Sequence, residues 1–351
     1  MNSKEILDVT IIGGGPAGLF SAFYSGCREL KTKLIEYHPY LGGKLNVYPE
    51  KMIWDVGGIV PTPAHQLIEQ MVGQANTFQP EILLNTKVTS ISKNENGIFI
   101  VHTATGEEHY SRTVILAIGG GILKPTKLEI DGAERFEVTN LHYTVKSLAQ
   151  FKGRKVLISG GGNSAIDWAN ELESIAEQVY ITYRKNTLKG HEAEVSRLLN
   201  STVQCFLNTT IEKLIASDSH ETIEQVVLRD EETGESIYVE VDEVIINHGF
   251  ERERELIDNS TVDIEMATDI WVAGNSMGET SVEGLFAAGD ILEHEGKLRL
   301  IAGAFQDAAN AVNRVKQFVT PEASSRGVVS THNEMFKEKN KEILKQVVSK
   351  K

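Results

Sequence analysis

The chain is poor in cysteine, proline, basic charge and long apolar runs, and each shortage closes off a class of function. Only two cysteines occur in 351 residues, Cys27 and Cys205, and they form no C-x-x-C pair. A disulfide-stapled fold and a cysteine-based zinc site are therefore excluded. No apolar stretch approaches the roughly 20 residues that a membrane-spanning helix needs. The opening residues carry Glu5 and Asp8 where a secretion signal needs an apolar run, so a soluble, cytoplasmic chain without membrane attachment is expected. Lys and Arg total 35 against 49 Asp and Glu, a formal net charge of −14. Such a field repels phosphate backbones and argues against general nucleic-acid binding. The ten histidines form no H-E-x-x-H or comparable cluster, so no metal is expected. Eight prolines stand against 30 glycines, an excess that often marks backbone brought close to a ligand. The hydrophobic share of 41% is that of a globular protein. At about 150 residues per domain, the length predicts two or three domains.

The glycines fall into a pattern. Ile6 to Ile12 is a short β-branched run that reads as a buried strand. It is followed by Gly13-Gly14-Gly15-Pro16-Ala17-Gly18, a G-x-G-x-x-G sequence, then a helix-length segment from Leu19 to Leu30 and a second strand, Lys33 to Glu36. Gly13 suits the tight turn, Gly15 lets backbone amides approach a pyrophosphate, and Gly18 lets helix and strand pack closely. The helix N-terminus adds partial positive charge, and Glu36 can accept hydrogen bonds from ribose hydroxyls. Strand, glycines, helix and a terminal acid in this order predict a dinucleotide site.

The pattern recurs 147 residues later (160 − 13 = 147), which predicts a domain-scale duplication. Lys155 to Ser159 reads as a strand, and Gly160-Gly161-Gly162-Asn163-Ser164-Ala165 fits G-x-G-x-x-A. A helix from Ser164 to about Ala176 and a strand from Val179 to Tyr183 follow. Here the terminal acid is missing, and Arg184 and Lys185 take its place with Lys189 close behind. A carboxylate would repel a ribose 2′-phosphate, whereas a guanidinium forms charge-assisted hydrogen bonds with it. The second site is therefore expected to take NADPH, and the first, ending in Glu36, FAD. Thr113 to Gly121 and Val282 to Asp290 each read as a buried strand breaking into a glycine turn. Asp290 offers a short carboxylate to a polar chain lying over it.

These four blocks, in this order and spacing, resemble the thioredoxin-reductase-like flavoproteins of the pyridine-nucleotide oxidoreductase superfamily. The resemblance runs from about Asp8 to Thr331. It implies an α/β fold of two Rossmann-like three-layer ββα domains, with the NADPH domain inserted into the FAD domain. The expected division is 1–118 and 249–332 for FAD, 119–248 for NADPH, and 333–351 as a helical tail. Within that group, Leu41 to Lys51, Asn140 to Tyr143, Gly162 to Ala169, Lys189 to Glu192 and Asn247 to Phe250 resemble the bacterial ferredoxin/flavodoxin–NADP reductases. No cysteine stands in Val138 to Tyr143, just before the second fingerprint, so the dithiol route of thioredoxin reductase is excluded.

The resemblance implies that Glu36, Lys44, Tyr48, Val88, Leu123, Asp290 and Thr331 contact FAD, with Tyr48 against one face of the flavin ring. A tyrosine face has its own physical case there, since it stacks on a flat ring and excludes water. Lys44 stands where the family usually has glutamine. Val329 stands where it commonly has a flavin-stacking histidine, which leaves that face more open. The implied activity passes electrons from NADPH through FAD to ferredoxin or flavodoxin, with homodimerisation expected. A diaphorase or quinone reductase with small acceptors, and a non-catalytic flavin redox sensor, are the alternatives. From Glu334 on, six lysines accompany three glutamates on an amphipathic helical pattern, which could dock an acidic partner or merely face solvent.

Overall fold

The computed structural model describes residues 5–325 together with 327, 334, 336, 337, 340, 341, 344 and 345. The chain divides into two units. One holds the chain up to Asn46, Lys51–Ile122 and everything from Arg252 on; the other holds Val47–Glu50 and Leu123–Glu251. The divisions thus fall a few residues beyond the expected 118/119 and 248/249. The physical reason is that the two connections, Ile122–Pro125 and Phe250–Glu253, pair as a short ribbon, so the chain passes over beyond the glycines. The inclusion of Val47–Glu50 in the second unit also has a cause. The Glu50 carboxylate accepts the Leu148 N–H at 2.7 Å and the Ser147 hydroxyl at 3.1 Å.

The first unit is built on a seven-stranded sheet. Glu81–Leu83, Thr32–Ile35, Ile6–Ile12 and Glu108–Leu116 lie parallel, and Phe99–Thr103 and Val88–Lys93 continue antiparallel. The long strand Glu108–Leu116 shares its outer edge, pairing with Phe99–Thr103 along its first half and with Leu285–Ala287 along its last three residues. Alternation decides which side chains go where. Ile12, Val114 and Leu116 enter one core with Ile91, Phe99, Val101 and Leu285. The intervening Ile11 and Ile115, equally inaccessible, are left for the other face. Helix Pro16–Cys27 packs against Ile301–Val319, with the Phe20 and Phe305 rings 5.1 Å apart. It starts three residues before the predicted Leu19, because Pro16 presets the helical φ at the one place where a missing N–H costs nothing. Of the expected tail helix 333–351, the described residues 336, 337, 340, 341, 344 and 345 are helical, Glu334 lies in a turn, and the rest lie outside the described residues.

The second unit has three layers. Its middle layer is an all-parallel sheet ordered Leu141–His142, Glu243–Ile246, Lys155–Ser159, Gln178–Tyr183, Gln204–Leu207. On one face, Ile166, Trp168, Ala169 and Leu172 of helix Asn163–Leu172 pack on Val156, Ile158, Val179 and Ile181. On the other, Leu157, Val244 and Ile246 meet Val226, Leu228 and Val239 of the antiparallel sheet Thr209–Ala216, Ile223–Asp230, Ser236–Glu240.

One buried side chain ties these two sheets together. Asn140 is 5% exposed and donates from Nδ2 to the carbonyls of Ile223 and Asp242, both at 2.8 Å. Its Oδ1 accepts the Ile223 N–H at 2.9 Å. The Asn140-Leu141-His142-Tyr143 motif therefore begins with a structural staple. Asn140→Ala strands buried backbone groups and should lower the unfolding free energy by about 2–4 kcal/mol. Urea titration checks this, and a loss under about 1 kcal/mol would show that the staple contributes little.

Candidate functional site

The first candidate site forms where three parallel strands end side by side. Ile12 registers with Leu116, and Leu116 with Ala287. The next backbone bonds, Ala117 N–H to Ile12 O at 2.8 Å and Ala288 N–H to Leu116 O at 2.9 Å, hold the emerging turns together. Crevices at such carboxyl ends are where open α/β sheets bind ligands. Gly13 turns with φ +105°, and a Cβ there would lie 2.5 Å from the Ala117 carbonyl oxygen. A Cβ on Gly18 would penetrate the carbonyl oxygen of Gly13. Both glycines are thus required by the protein itself. Gly15 is not: a Cβ there would meet only Gly43 Cα, at 3.7 Å. Its bareness leaves the outer side of the turn open at the helix N-terminus, where a pyrophosphate is favoured.

Glu36 closes this turn from the protein side. It is 7% exposed, and its carboxylate accepts the Gly14 N–H at 2.6 Å and the His38 N–H at 2.8 Å. Each oxygen keeps a lone pair for a ribose hydroxyl. Lys44 is exposed on the 3-10 turn Gly43–Val47, which is tied to the glycine loop by Gly42 N–H to Gly14 O at 2.8 Å. Asn46, which lies within the Leu41 to Lys51 stretch without an expected role of its own, staples that turn by donating to the Leu41 and Gly43 carbonyls at 3.0 and 3.1 Å. Asp290 follows Gly289, whose Cβ position lies 2.8 Å from Ala17 Cβ, so the turn after Leu285–Ala287 abuts the first helix. The Asp290 carboxylate is partly exposed and has no hydrogen-bond partner among the described residues.

Three further expected contacts lie in the core of the first unit or in the second unit. Val88 is buried in the core with Ile91 and Phe99. Leu123 belongs to the second unit, as does Tyr48, which packs on the cluster of Val145, Phe151 and Trp168. Val329 and Thr331 lie outside the described residues.

The second candidate site repeats the architecture with opposite charge. A Cβ on Gly160 would lie 2.6 Å from the Asn247 carbonyl oxygen and 3.2 Å from Ala165 Cβ, so these positions are dictated by packing. Gly162 has nothing within 4 Å of its Cβ position, which again leaves room over a helix N-terminus, here that of Asn163–Leu172. Ser164 is exposed in that first turn. The basic loop is pinned over the glycines: Lys189 N–H donates to Gly161 O at 2.6 Å, and His191 N–H to Asn163 Oδ1 at 2.9 Å. Asn163 thus orders the loop with its side chain. Arg184, Lys185 and Lys189 are exposed and make no ion pair among the described residues. Three unneutralised cations beside an open glycine turn suit a nucleotide with an additional phosphate.

The cysteines take no part. Burial pushes the Cys27 thiol up to about 11 and the Cys205 thiol in the same direction, so neither is poised as a thiolate.

Comparison with known proteins follows the same lines. Residues 7–313 match the family model described as pyridine nucleotide-disulphide oxidoreductase. Proteins curated as ferredoxin–NADP reductase 1 from Bacillus mycoides and Bacillus anthracis are 62% and 63% identical, each over 99% of this chain and 100% of their own length. A ferredoxin–NADP reductase 2 from Exiguobacterium sibiricum is 58% identical over 99% of both chains. Among solved structures, Lactococcus lactis thioredoxin reductase superposes with a TM-score of 0.73 at 26% identity, covering 90% of this chain and 99% of its own. T. acidophilum thioredoxin reductase reaches the same TM-score at 22% identity, covering 91% of this chain and all of its own.

The glycines give a direct check on the two sites. Gly15→Ala should leave the ligand-free protein within about 1 kcal/mol of wild-type stability, yet weaken flavin binding, while Gly18→Ala should fail to fold. Thermal melting and flavin titration separate the outcomes, and equal damage from both substitutions would contradict a ligand cradle at Gly15.

Proposed function

The chain belongs to the pyridine nucleotide-disulphide oxidoreductase family, and we propose that it acts as a ferredoxin–NADP reductase, with FAD at the first glycine turn and NADPH at the second. The observation that carries this reading is the contrast between the two turns. The first is closed by a buried carboxylate, Glu36, and the second by Arg184, Lys185 and Lys189, which pair with no acid among the described residues. A flavin held at the first turn would supply the redox chemistry between a nicotinamide hydride and a one-electron protein carrier.

The residues bind and orient. The open side of Gly15 and the N-terminus of Pro16–Cys27 receive the FAD pyrophosphate, Glu36 its adenosine ribose, and Asp290 the ribityl–phosphate region. The resemblance adds Val88, Leu123 and Thr331 to that proposed set, with Lys44 as a positive charge. Tyr48 and the position of Val329 are the flavin-face residues. Gly160, Gly162, Ser164 and Ala165 shape the NADPH cradle that Asn163 ties to its basic loop. No side chain is needed as acid, base or nucleophile. The raised thiols and the lack of any C-x-x-C favour a protein carrier over a disulfide as acceptor.

Ferredoxin or flavodoxin is the proposed carrier, and a cytoplasmic homodimer the proposed state; no helix among the described residues is long and apolar enough to cross a membrane. Turnover with NADPH should be faster with ferredoxin or flavodoxin than with a quinone at equal concentration. The reverse order would favour a diaphorase, and no turnover with either would favour a sensor. Arg184→Ala should remove one charge-assisted phosphate contact, worth about 1.5–3 kcal/mol. The Michaelis constant should rise about tenfold or more for NADPH and little for NADH. Equal rises for both nucleotides would defeat the assignment of the second site.

A further inference from the structure

Behind the Gly289–Asp290 turn lies a buried charged cluster that none of the sequence motifs includes. Lys297, Asp307 and His294 have side chains 3%, 7% and 9% exposed. Lys297 and Asp307 form an ion pair, and His294 Nε2 lies 3.4 Å from Asp307 Oδ1. His294 Nδ1 faces the Glu295 carbonyl at 2.8 Å. Buried ion pairs add little net stability, because desolvation offsets the attraction between the charges. What distinguishes this pair is where its remaining hydrogen bonds go. Lys297 Nζ donates to the Gly289 carbonyl at 2.6 Å, and Asp307 Oδ2 accepts the Gly289 N–H at 3.1 Å. Both polar groups of one residue are thus held by the two members of one ion pair.

We propose that Lys297 and Asp307, steadied by His294, are positioning residues that preset the Gly289–Asp290 peptide for the flavin cofactor. The proposal rests on the reading of the first site as an FAD site. A trans peptide is planar, with its C=O and N–H pointing in opposite directions. Drawing the Gly289 carbonyl inward onto Lys297 therefore turns the Asp290 N–H to the opposite side, as a donor for a phosphate oxygen. It also fixes the start of the residue whose carboxylate has no partner among the described residues. No side chain fits at Gly289, where a Cβ would lie 2.8 Å from Ala17 Cβ, so the turn sits directly on the first helix. The clamp acts before the cofactor arrives, so the ordering of this turn is not charged against binding.

The test compares wild type with K297M, D307N and the double variant K297M/D307N, each stripped of flavin. Three quantities are read: the melting midpoint, FAD affinity by flavin fluorescence, and NADP+ affinity. Each single variant leaves a charge or a hydrogen bond unmatched. The double variant removes both charges, and its melting midpoint should return close to wild type. Its FAD dissociation constant should stay about tenfold or more above wild type, because the Gly289 carbonyl keeps the Leu292 N–H but loses the Lys297 ammonium that draws it inward. NADP+ affinity should be unchanged. A double variant that melts normally and binds FAD within about threefold of wild type overturns the clamp. If wild type itself takes up no FAD, the reading of the first site fails instead. Should the variants not melt cooperatively, hydrogen exchange on flavin-free wild type decides. The peptide containing Gly289 should already be protected, and exchange at the rate of unstructured backbone overturns the proposal.

Discussion

Everything in the first unit depends on how closely Gly18 approaches the carbonyl of Gly13. That contact lets the helix leave the sheet without a side chain between them, so the helix N-terminus lies directly beyond the strand ends. Once the helix is there, the neighbouring turns at Ala117 and Ala288 converge on the same place through backbone bonds. Glu36 then reaches the glycine loop from the next strand. The second unit applies the same constraint at Gly160, where the Asn247 carbonyl and Ala165 leave no space. The glycines that packing requires, Gly13, Gly18 and Gly160, are distinct from those it leaves bare, Gly15 and Gly162. The bare ones mark where a ligand can approach.

The two units share this scaffold and differ in charge. In the first, a carboxylate is buried and satisfied by backbone N–H groups, which makes it a fixed acceptor. In the second, three cations stand exposed on a loop held over the glycines by Lys189 N–H and by Asn163. An acidic protein with net charge −14 keeps this local positive field at one turn. On the proposed reading, that arrangement selects between nucleotides that differ only in a phosphate. The family name speaks of disulphides, yet the proposed chemistry is that of a flavin and a nucleotide, since Cys27 is buried, Cys205 is half-buried, and both thiols are pushed toward the neutral form.

Local spacing made the two strand–glycine–helix units legible in the sequence, including Arg184 and Lys185 at the strand end. Glu36 was legible as an acid, but not its bonds to Gly14 and His38, which depend on how tightly the loop closes. Asn140 belonged to a recognisable motif, yet its partner Ile223 lies 83 residues away, beyond any periodic signal. The transfer of Val47–Glu50 to the second unit depends on one carboxylate, Glu50, meeting Leu148 98 residues on. Tyr48 follows it, for a reason no composition or spacing could indicate. Lys297 and Asp307 carried one faint signal: Asp307 is an acid within the small and apolar run of the last helix, where burial demands a partner. Long-range polar contacts of this kind are set by tertiary packing and leave no repeat in the chain.

The most direct measurement is the visible spectrum of the purified protein, taken before and after anaerobic addition of NADPH and, separately, NADH. The account predicts a yellow protein with a flavin spectrum, bleached by NADPH at far lower concentration than by NADH. A colourless protein that takes up no FAD on reconstitution, or a flavin bleached equally by both nucleotides, would contradict it.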